Sequence, residues 1–167
     1  MLARHGARFV VVGGTSLLAR PTSERLPAGW TTSSHEGWTV AVPASYVESV
    51  FKDSRQYKDP SSGRTVRVST MSVGKTDAVA DRRAQAASFA KSHDAYVEIG
   101  IGPADYRGYE AADWEFTYTS GGASLHALNR VFVVDGRGYS LFFQTHSTDD
   151  WNAAKADFDK IAAAFQP

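Results

Sequence analysis

Two acids, a histidine and an arginine come nearest to a catalytic cluster in this sequence. Asp113 and Glu115 precede a glycine pair at 121–122, and His126 and Arg130 follow it. A Gly-Gly pair favours a two-residue hairpin turn, because such turns need positive φ. The hairpin would bring the two acids opposite the histidine and the arginine, as an acid/base cluster beside a cation.

The register of this hairpin decides what the cluster can do. If the glycine pair forms the turn, Asp113 lies opposite Arg130, and Glu115 and His126 share their face of the sheet. The pattern then also fits a cross-strand ion pair with a polar neighbour, and no nucleophile or oxyanion donor is implied nearby. We therefore interpret the cluster as structural and predict that the chain is not an enzyme. A hydrolase that uses Asp113, Glu115 and His126 is the alternative.

The other motifs that suggest chemistry are incomplete. Gly-Lys-Thr at 74–76 resembles the end of a phosphate-binding loop, but Ser69 stands where the first glycine of that loop belongs. Ser-His-Asp at 92–94 places triad residue types side by side, which is not the geometry of a triad, and we interpret it as a helix end. The chain has no cysteine, which excludes disulfides and Cys-ligated metals. We predict no metal and no cofactor.

The composition indicates one folded domain. The 167 residues include 18 Lys and Arg against 18 Asp and Glu, so no binding to nucleic acid is predicted. No stretch approaches the roughly 20 apolar residues of a membrane span. We predict a flexible tail or linker at 1–29, with the remnant of an export or anchor segment as the alternative, and a single domain at 30–167.

Hydrophobic periodicity predicts alternating strands and two helices. Strands have apolar residues at every second position and helices at every third or fourth. The predicted strands and hairpins lie at 37–43, 55–73, 96–101 and 111–120. The predicted helices run from 77 to 92, capped by Asp77, and from Asp149 or Asp150 to about 165.

A second turn is predicted around 136–137, which would pair Phe132 with Leu141 and Asn129 with Gln144. We interpret the last pair as buried amides that satisfy each other, with a ligand pocket as the alternative. The resulting sheet is apolar on both faces and needs cover on both. The predicted fold class is α+β, an antiparallel sheet covered by helices on both faces.

Four segments carry a family resemblance: GWTVAVP, YKDPSSGRTVRVS, DYRGYEAADWEFTYTSGGASLHALNRVFVVDGRGYSLFFQT and WNAAKADFDKIAAAF. They resemble the C-terminal extracytoplasmic domain of actinobacterial membrane Ser/Thr protein kinases and related exported proteins, over about residues 30–167. The resemblance implies a PsbP-like fold, an α/β/α sandwich. The chain has no kinase glycine-rich loop, H-R-D or D-F-G motif, so kinase activity is not carried over.

The resemblance implies a non-catalytic sensor or binding module that recognises a protein or a cell-envelope component. It also implies that the module lies outside the cytoplasm or is associated with a membrane. Tyr106, Arg107 and Tyr109 precede the strand at 111–120. They are the candidate partner-binding residues, because Tyr and Arg are typical interface anchors; simple packing of this link onto the sheet is the interpretation that we favour. A small-molecule carrier would instead need a cavity of about 300 Å³ or more on one sheet face.

Overall fold

A computed structural model of the chain describes residues 25–72 and 77–167. The elements in chain order are β1 (Trp30–His35), β2 (Trp38–Pro43), β3 (Val47–Phe51), β4 (Ser54–Lys58), β5 (Thr65–Met71), α1 (Ala78–Ser92), β6 (Asp94–Pro103), β7 (Glu110–Ser120), β8 (Ala123–Val134), β9 (Arg137–His146) and α2 (Trp151–Ala164). The predicted tail falls mainly on residues 1–24, and the Gly-Lys-Thr motif on 73–76, which lie outside the described residues.

Seven of these strands form one antiparallel sheet in the order β3-β4-β5-β9-β8-β7-β6. Strands β1 and β2 form a separate hairpin. Helix α1 packs over β6 and β7 on one face, which we call the α1 face. Helix α2 and the β1–β2 hairpin cover the opposite α2 face. The predicted α+β fold with helices on both faces of an antiparallel sheet is confirmed.

The β7–β8 hairpin has the register that the glycine pair predicts. Gly121 and Gly122 have φ of 58° and 79°, values that glycine adopts without steric cost. Asp113 is opposite Arg130, and every pair along the two strands follows the same count from the turn. The side chains of Asp113, Glu115, His126 and Arg130 therefore share the α2 face.

The β8–β9 turn is centred one residue earlier than predicted. Its two residues are Asp135 and Gly136, with φ of 49° and 75°, so Val134 is opposite Arg137. Aspartate tolerates positive φ better than most residues, which makes Asp-Gly a two-residue hairpin turn. Both predicted pairs are wrong by two residues along β9, and the observed pairs are Phe132–Tyr139 and Asn129–Phe142.

Both helices begin at the aspartates that the sequence indicates. The Asp77 carboxylate accepts hydrogen bonds from the backbone N–H groups of Val79 at 2.8 Å and Ala80 at 3.1 Å. Asp150 caps α2 in the same way. Each cap satisfies donors that have no partner within the first turn of a helix.

The two faces have separate cores of different extent. The α2-face core is the larger and includes Leu141, Phe143, Phe158 and Phe165, all fully buried. The α1-face core centres on the aromatic residues of β7, with Phe89 of α1 packed against them. Because α1 lies over β6 and β7, no helix of the described residues lies above the part of the α1 face formed by β4 and β5.

Burial of Tyr46 against the α2-face core gives the stability a dependence on alkaline pH. Burial raises the pKa of Tyr46 from 10.0 to about 12. Between pH 10 and 12 the unfolded chain loses this proton while the folded protein keeps it, so stability falls as pH rises through this window.

We expect Tyr46→Phe to remove this part of the pH dependence, because phenylalanine keeps the ring and does not ionise. Unfolding by urea at pH 8 and pH 11 measures the effect for both proteins. The protein with Tyr46 should lose more stability between the two pH values than the variant. An equal loss in both would mean that Tyr46 ionises alike in the folded and unfolded states.

Candidate functional site

The predicted acid cluster contains a closed ion pair. Arg130 donates from Nε and Nη2 to the two carboxylate oxygens of Asp113, at 2.8 and 2.7 Å. Its guanidinium also lies 5.0 Å from the ring centre of Tyr106 and 5.4 Å from that of Phe158. Burial lowers the pKa of Arg130, but the hydrogen bond and the charge of Asp113 raise it by more. The pKa of Arg130 is therefore above its ordinary value. Both oxygens of Asp113 are therefore engaged by a cation.

The second acid of the cluster is also paired. Glu115 Oε1 lies 2.7 Å from His126 Nε2, and the His126 ring stacks on Trp151 with centroids 3.5 Å apart. The structure thus brings the four predicted residues together as two closed pairs. Among the described residues, no group of three or more His, Cys, Asp or Glu side chains is placed to hold a metal ion.

The link before β7 packs against the end of α2. The Tyr106 hydroxyl donates to the Ala162 carbonyl at 2.5 Å, and Arg107 Nη1 donates to the Phe165 carbonyl at 2.6 Å. The Ala162 carbonyl also accepts from the Phe165 backbone N–H at 3.3 Å, so the two side-chain bonds fasten the link to the C-cap of α2. Tyr106 is buried, Tyr109 is half-buried and Arg107 is exposed. The binding of a partner by Tyr106, Arg107 and Tyr109 stays a prediction.

A serine, a histidine and a glutamate also meet where the β1–β2 hairpin approaches the sheet edge. His35 Nε2 lies 3.0 Å from Ser33 Oγ, 3.0 Å from Glu48 Oε1 and 3.1 Å from the Tyr57 hydroxyl. A catalytic triad uses the two ring nitrogens separately, one for the nucleophile and one for the acid. Here one nitrogen meets both groups, so the cluster joins β1 to β3 and β4 without a triad's geometry.

An open groove of about 420 Å³ lies on the α1 face, between α1 and the turn that joins β3 to β4. We call it the Arg67 groove. Its rim includes exposed side chains of the turn and of α1. It is lined by Phe51, Lys52, Asp53, Ser54, Arg67, Ser69, Arg82, Gln85, Phe89, Trp114, Phe116, Asn129, Ser140 and Phe142.

Arg67 places a charge in this groove that no acid neutralises. Its guanidinium carbon lies 3.9 Å from the ring centre of Phe51 and 5.1 Å from that of Phe142. Nε donates to Gln56 Oε1 at 2.8 Å. Burial lowers the pKa of Arg67, and within residues 25–72 and 77–167 no carboxylate lies within 4.0 Å of it.

Arg82 of α1 reaches the floor of the groove. It donates from Nη1 to Asn129 Oδ1 and from Nη2 to Asp81 Oδ2, both at 2.5 Å. Its Nε is buried and has no hydrogen-bond partner in the described part of the chain. Asn129 in turn donates to Ser140 Oγ at 2.8 Å, so the predicted amide pair of Asn129 with Gln144 is replaced by a network that lines a pocket.

This groove was not predicted from the sequence. Its polar groups come from β5, α1, β8 and β9, so no short motif contains them. One signal was available: Arg82 falls within the otherwise apolar stripe of the helix predicted at 77–92. Long charged residues are rarely buried without a partner, and a charge in such a stripe indicates a polar site beneath the helix.

The chain matches one known protein family. The profile of a family described as the serine/threonine kinase C-terminal domain matches residues 31–167. No curated protein matches the sequence significantly. None of the helices in the described part is long and apolar enough to cross a membrane.

Solved structures share the fold at low sequence identity. The cyanobacterial PsbP of Synechocystis is 16% identical with a TM-score of 0.64, over 84% of this chain and 93% of that one. LpqN of Mycobacterium tuberculosis, described as involved in cell envelope biogenesis, is 14% identical with a TM-score of 0.55, over 82% and 89%. The Ran-binding protein Mog1p of Saccharomyces cerevisiae is 5% identical with a TM-score of 0.58, over 82% and 93%. The fold is therefore PsbP-like.

Proposed function

Because the chain belongs to the family of serine/threonine kinase C-terminal domains, we propose that it is a non-catalytic extracytoplasmic sensor or binding module. Its ligand is a component of the cell envelope, held in the Arg67 groove. The observation that carries this proposal is the half-buried Arg67 guanidinium, which lies close to two aromatic rings of an open groove and has no carboxylate within 4.0 Å among the described residues. The envelope role described for the structurally similar LpqN supports the choice of ligand.

The acid cluster supports a hydrolase less well than the groove supports binding. Both oxygens of Asp113 accept hydrogen bonds from Arg130, and Glu115 is paired with His126. Neither acid lines the groove. A general base must have a free oxygen within reach of the proton that it removes, and Asp113 offers none.

A carrier is also less well supported than a sensor. A carrier encloses its ligand, and typical small-molecule sites bury about 70–90% of the ligand surface. The Arg67 groove is bordered by the exposed residues Lys52, Asp53 and Gln85. Such a site leaves part of the ligand accessible, which suits recognition of a group that remains attached to a larger envelope component.

The proposal predicts that filling the groove abolishes binding while the fold is preserved. Gln85 is exposed on α1 and lines the groove, so Gln85→Trp places an indole over it without burying a polar group. Ala87→Trp is the matched control, because Ala87 is exposed on the same helix and does not line the groove. The measurement is retention of envelope-derived small molecules by the immobilised full chain, identified by mass spectrometry.

We expect the unmodified chain and Ala87→Trp to retain the same compound and Gln85→Trp to lose it. Retention by all three proteins would place the binding site elsewhere, and retention by none would contradict the proposed ligand. Circular dichroism of both variants should match that of the unmodified chain. If a protein partner is recovered equally with both variants, the link that carries Arg107 and Tyr109 becomes the better candidate for binding.

A further inference from the structure

We propose that the Arg67 groove recognises an oxyanion, a phosphate or carboxylate group, on a ligand whose adjoining part is flat and apolar. This inference rests on the function proposed above and names the chemical class of the ligand. It follows from the charge of the groove, its unused hydrogen-bond donors and its rings.

The charge of the groove is predominantly positive. Its lining includes three cationic side chains, Lys52, Arg67 and Arg82, and one acid, Asp53. Arg82 has Asp81 as its partner, whereas Arg67 has no carboxylate within 4.0 Å in the part of the chain that the structure describes. Removing part of a cation's hydration raises the free energy of the folded state unless an opposite charge neutralises the cation. An anionic ligand supplies that neutralising charge.

Several side chains that can donate hydrogen bonds line the groove. Arg67 and Ser69 lie on one face of β5, and Ser69 is directly opposite Ser140 on β9. The Ser140 hydroxyl accepts from Asn129 and keeps its own proton for a ligand, and the buried Nε of Arg82 lacks a partner within the described residues. A guanidinium group only donates hydrogen bonds, and a hydroxyl that already accepts one bond can donate another, so the groups that line the groove suit an oxyanion.

The walls of the groove specify the rest of the ligand. The rings of Phe51 and Phe142 both lie close to the Arg67 guanidinium, and Trp114 and Phe116 also line the groove. Aromatic rings bind flat apolar groups well. A bare inorganic anion would leave these walls unused, so the ligand carries a ring or another apolar group next to its charge.

The test titrates the full chain with three small probes that separate charge from shape. Phenyl phosphate and benzoate carry both a ring and an oxyanion, whereas benzyl alcohol carries the ring alone. Chemical shifts in ¹H–¹⁵N NMR spectra report the affinity and the site. We expect both anions to shift resonances of Ser69 and Phe142 and to bind at least about tenfold more tightly than benzyl alcohol. We also expect their affinity to fall as salt is added.

Matched variants assign the effect to Arg67. Arg67→Met keeps an apolar side chain beside the two rings and removes the charge. We expect it to weaken the binding of both anions at least about tenfold. Arg55→Met makes the same change of net charge on β4, where Arg55 pairs with Val68 and points to the opposite face. Arg55→Met should change the affinity for the anions by no more than about twofold, because Arg55 is exposed and lies on the α2 face, away from the groove.

Equal weakening by the two variants, or equal binding of the anions and benzyl alcohol, would overturn the proposal. So would an absence of binding by either anion to the folded chain. The outcome separates the two proposals. Gln85→Trp could abolish retention of an envelope compound while Arg67→Met leaves the binding of that compound unchanged. In that case the groove is a binding site and the inferred ligand class is wrong.

Discussion

Replacing Arg130 with alanine is expected to lower the free energy of unfolding by about 3 kcal/mol, the lower end of the range for breaking a buried ion pair. Arg130 is 9% exposed and makes both hydrogen bonds to Asp113. The substitution leaves the Asp113 carboxylate partly desolvated without its counter-ion, and it removes the guanidinium that packs against Tyr106 and Phe158. Equilibrium unfolding in urea measures the loss.

Two further variants separate charge from packing. Arg55→Ala removes an exposed arginine that lies 3.8 Å from Glu48, and its cost should stay below about 1 kcal/mol. The double variant Asp113→Ala, Arg130→Met removes both charges and should recover much of the stability, since apolar residues often replace a buried ion pair without loss. If Arg130→Ala unfolds at the same urea concentration as the unmodified chain, the pair is not a structural element.

Truncation of Phe158 is expected to have the largest effect of a single core substitution, about 4 kcal/mol, which is typical of a buried phenylalanine replaced by alanine. Phe158 is completely buried in α2. It stacks on Phe143 of β9 with ring centres 5.5 Å apart, and the Arg130 guanidinium lies above it. The cavity left by Phe158→Ala would therefore open between α2 and the centre of the sheet.

Lys160→Ala on the same helix is the control. The Lys160 side chain is 59% exposed and its ammonium lies 3.5 Å from Asp157, so its removal should cost at most about 0.5 kcal/mol. Thermal unfolding followed by circular dichroism measures both variants under one set of conditions. Similar midpoints for the two would show that α2 contributes little to stability, contrary to the packing described above.

Local signals in the sequence predicted most of the fold. The glycine pair at 121–122 was enough to give every pairing of β7 with β8, because a two-residue turn leaves one register. Aspartates at helix starts gave both caps. The error at the next hairpin came from centring the turn on a glycine and an arginine, although the aspartate before them also adopts positive φ.

The remaining features depend on contacts between distant segments. Strand β3 was not predicted because all five of its residues are exposed, and an edge strand without a buried face lacks the alternation that indicates a strand. The Arg67 groove was missed for a related reason. No short segment of the sequence contains more than a few of its polar residues, and only the sheet order places β5 beside β9, on the opposite side of the groove from α1.

The position of β9 has a consequence for how the chain acquires its structure. This strand is last in sequence but lies between β5 and β8 in the sheet. Until it emerges from the ribosome, β3-β4-β5 and β6-β7-β8 are two separate three-stranded pieces with no hydrogen bonds between them. Non-local pairing of this kind slows folding, because the entropy of loop closure must be lost before the contacts form. Closure of the sheet therefore depends on β9, which pairs with both pieces.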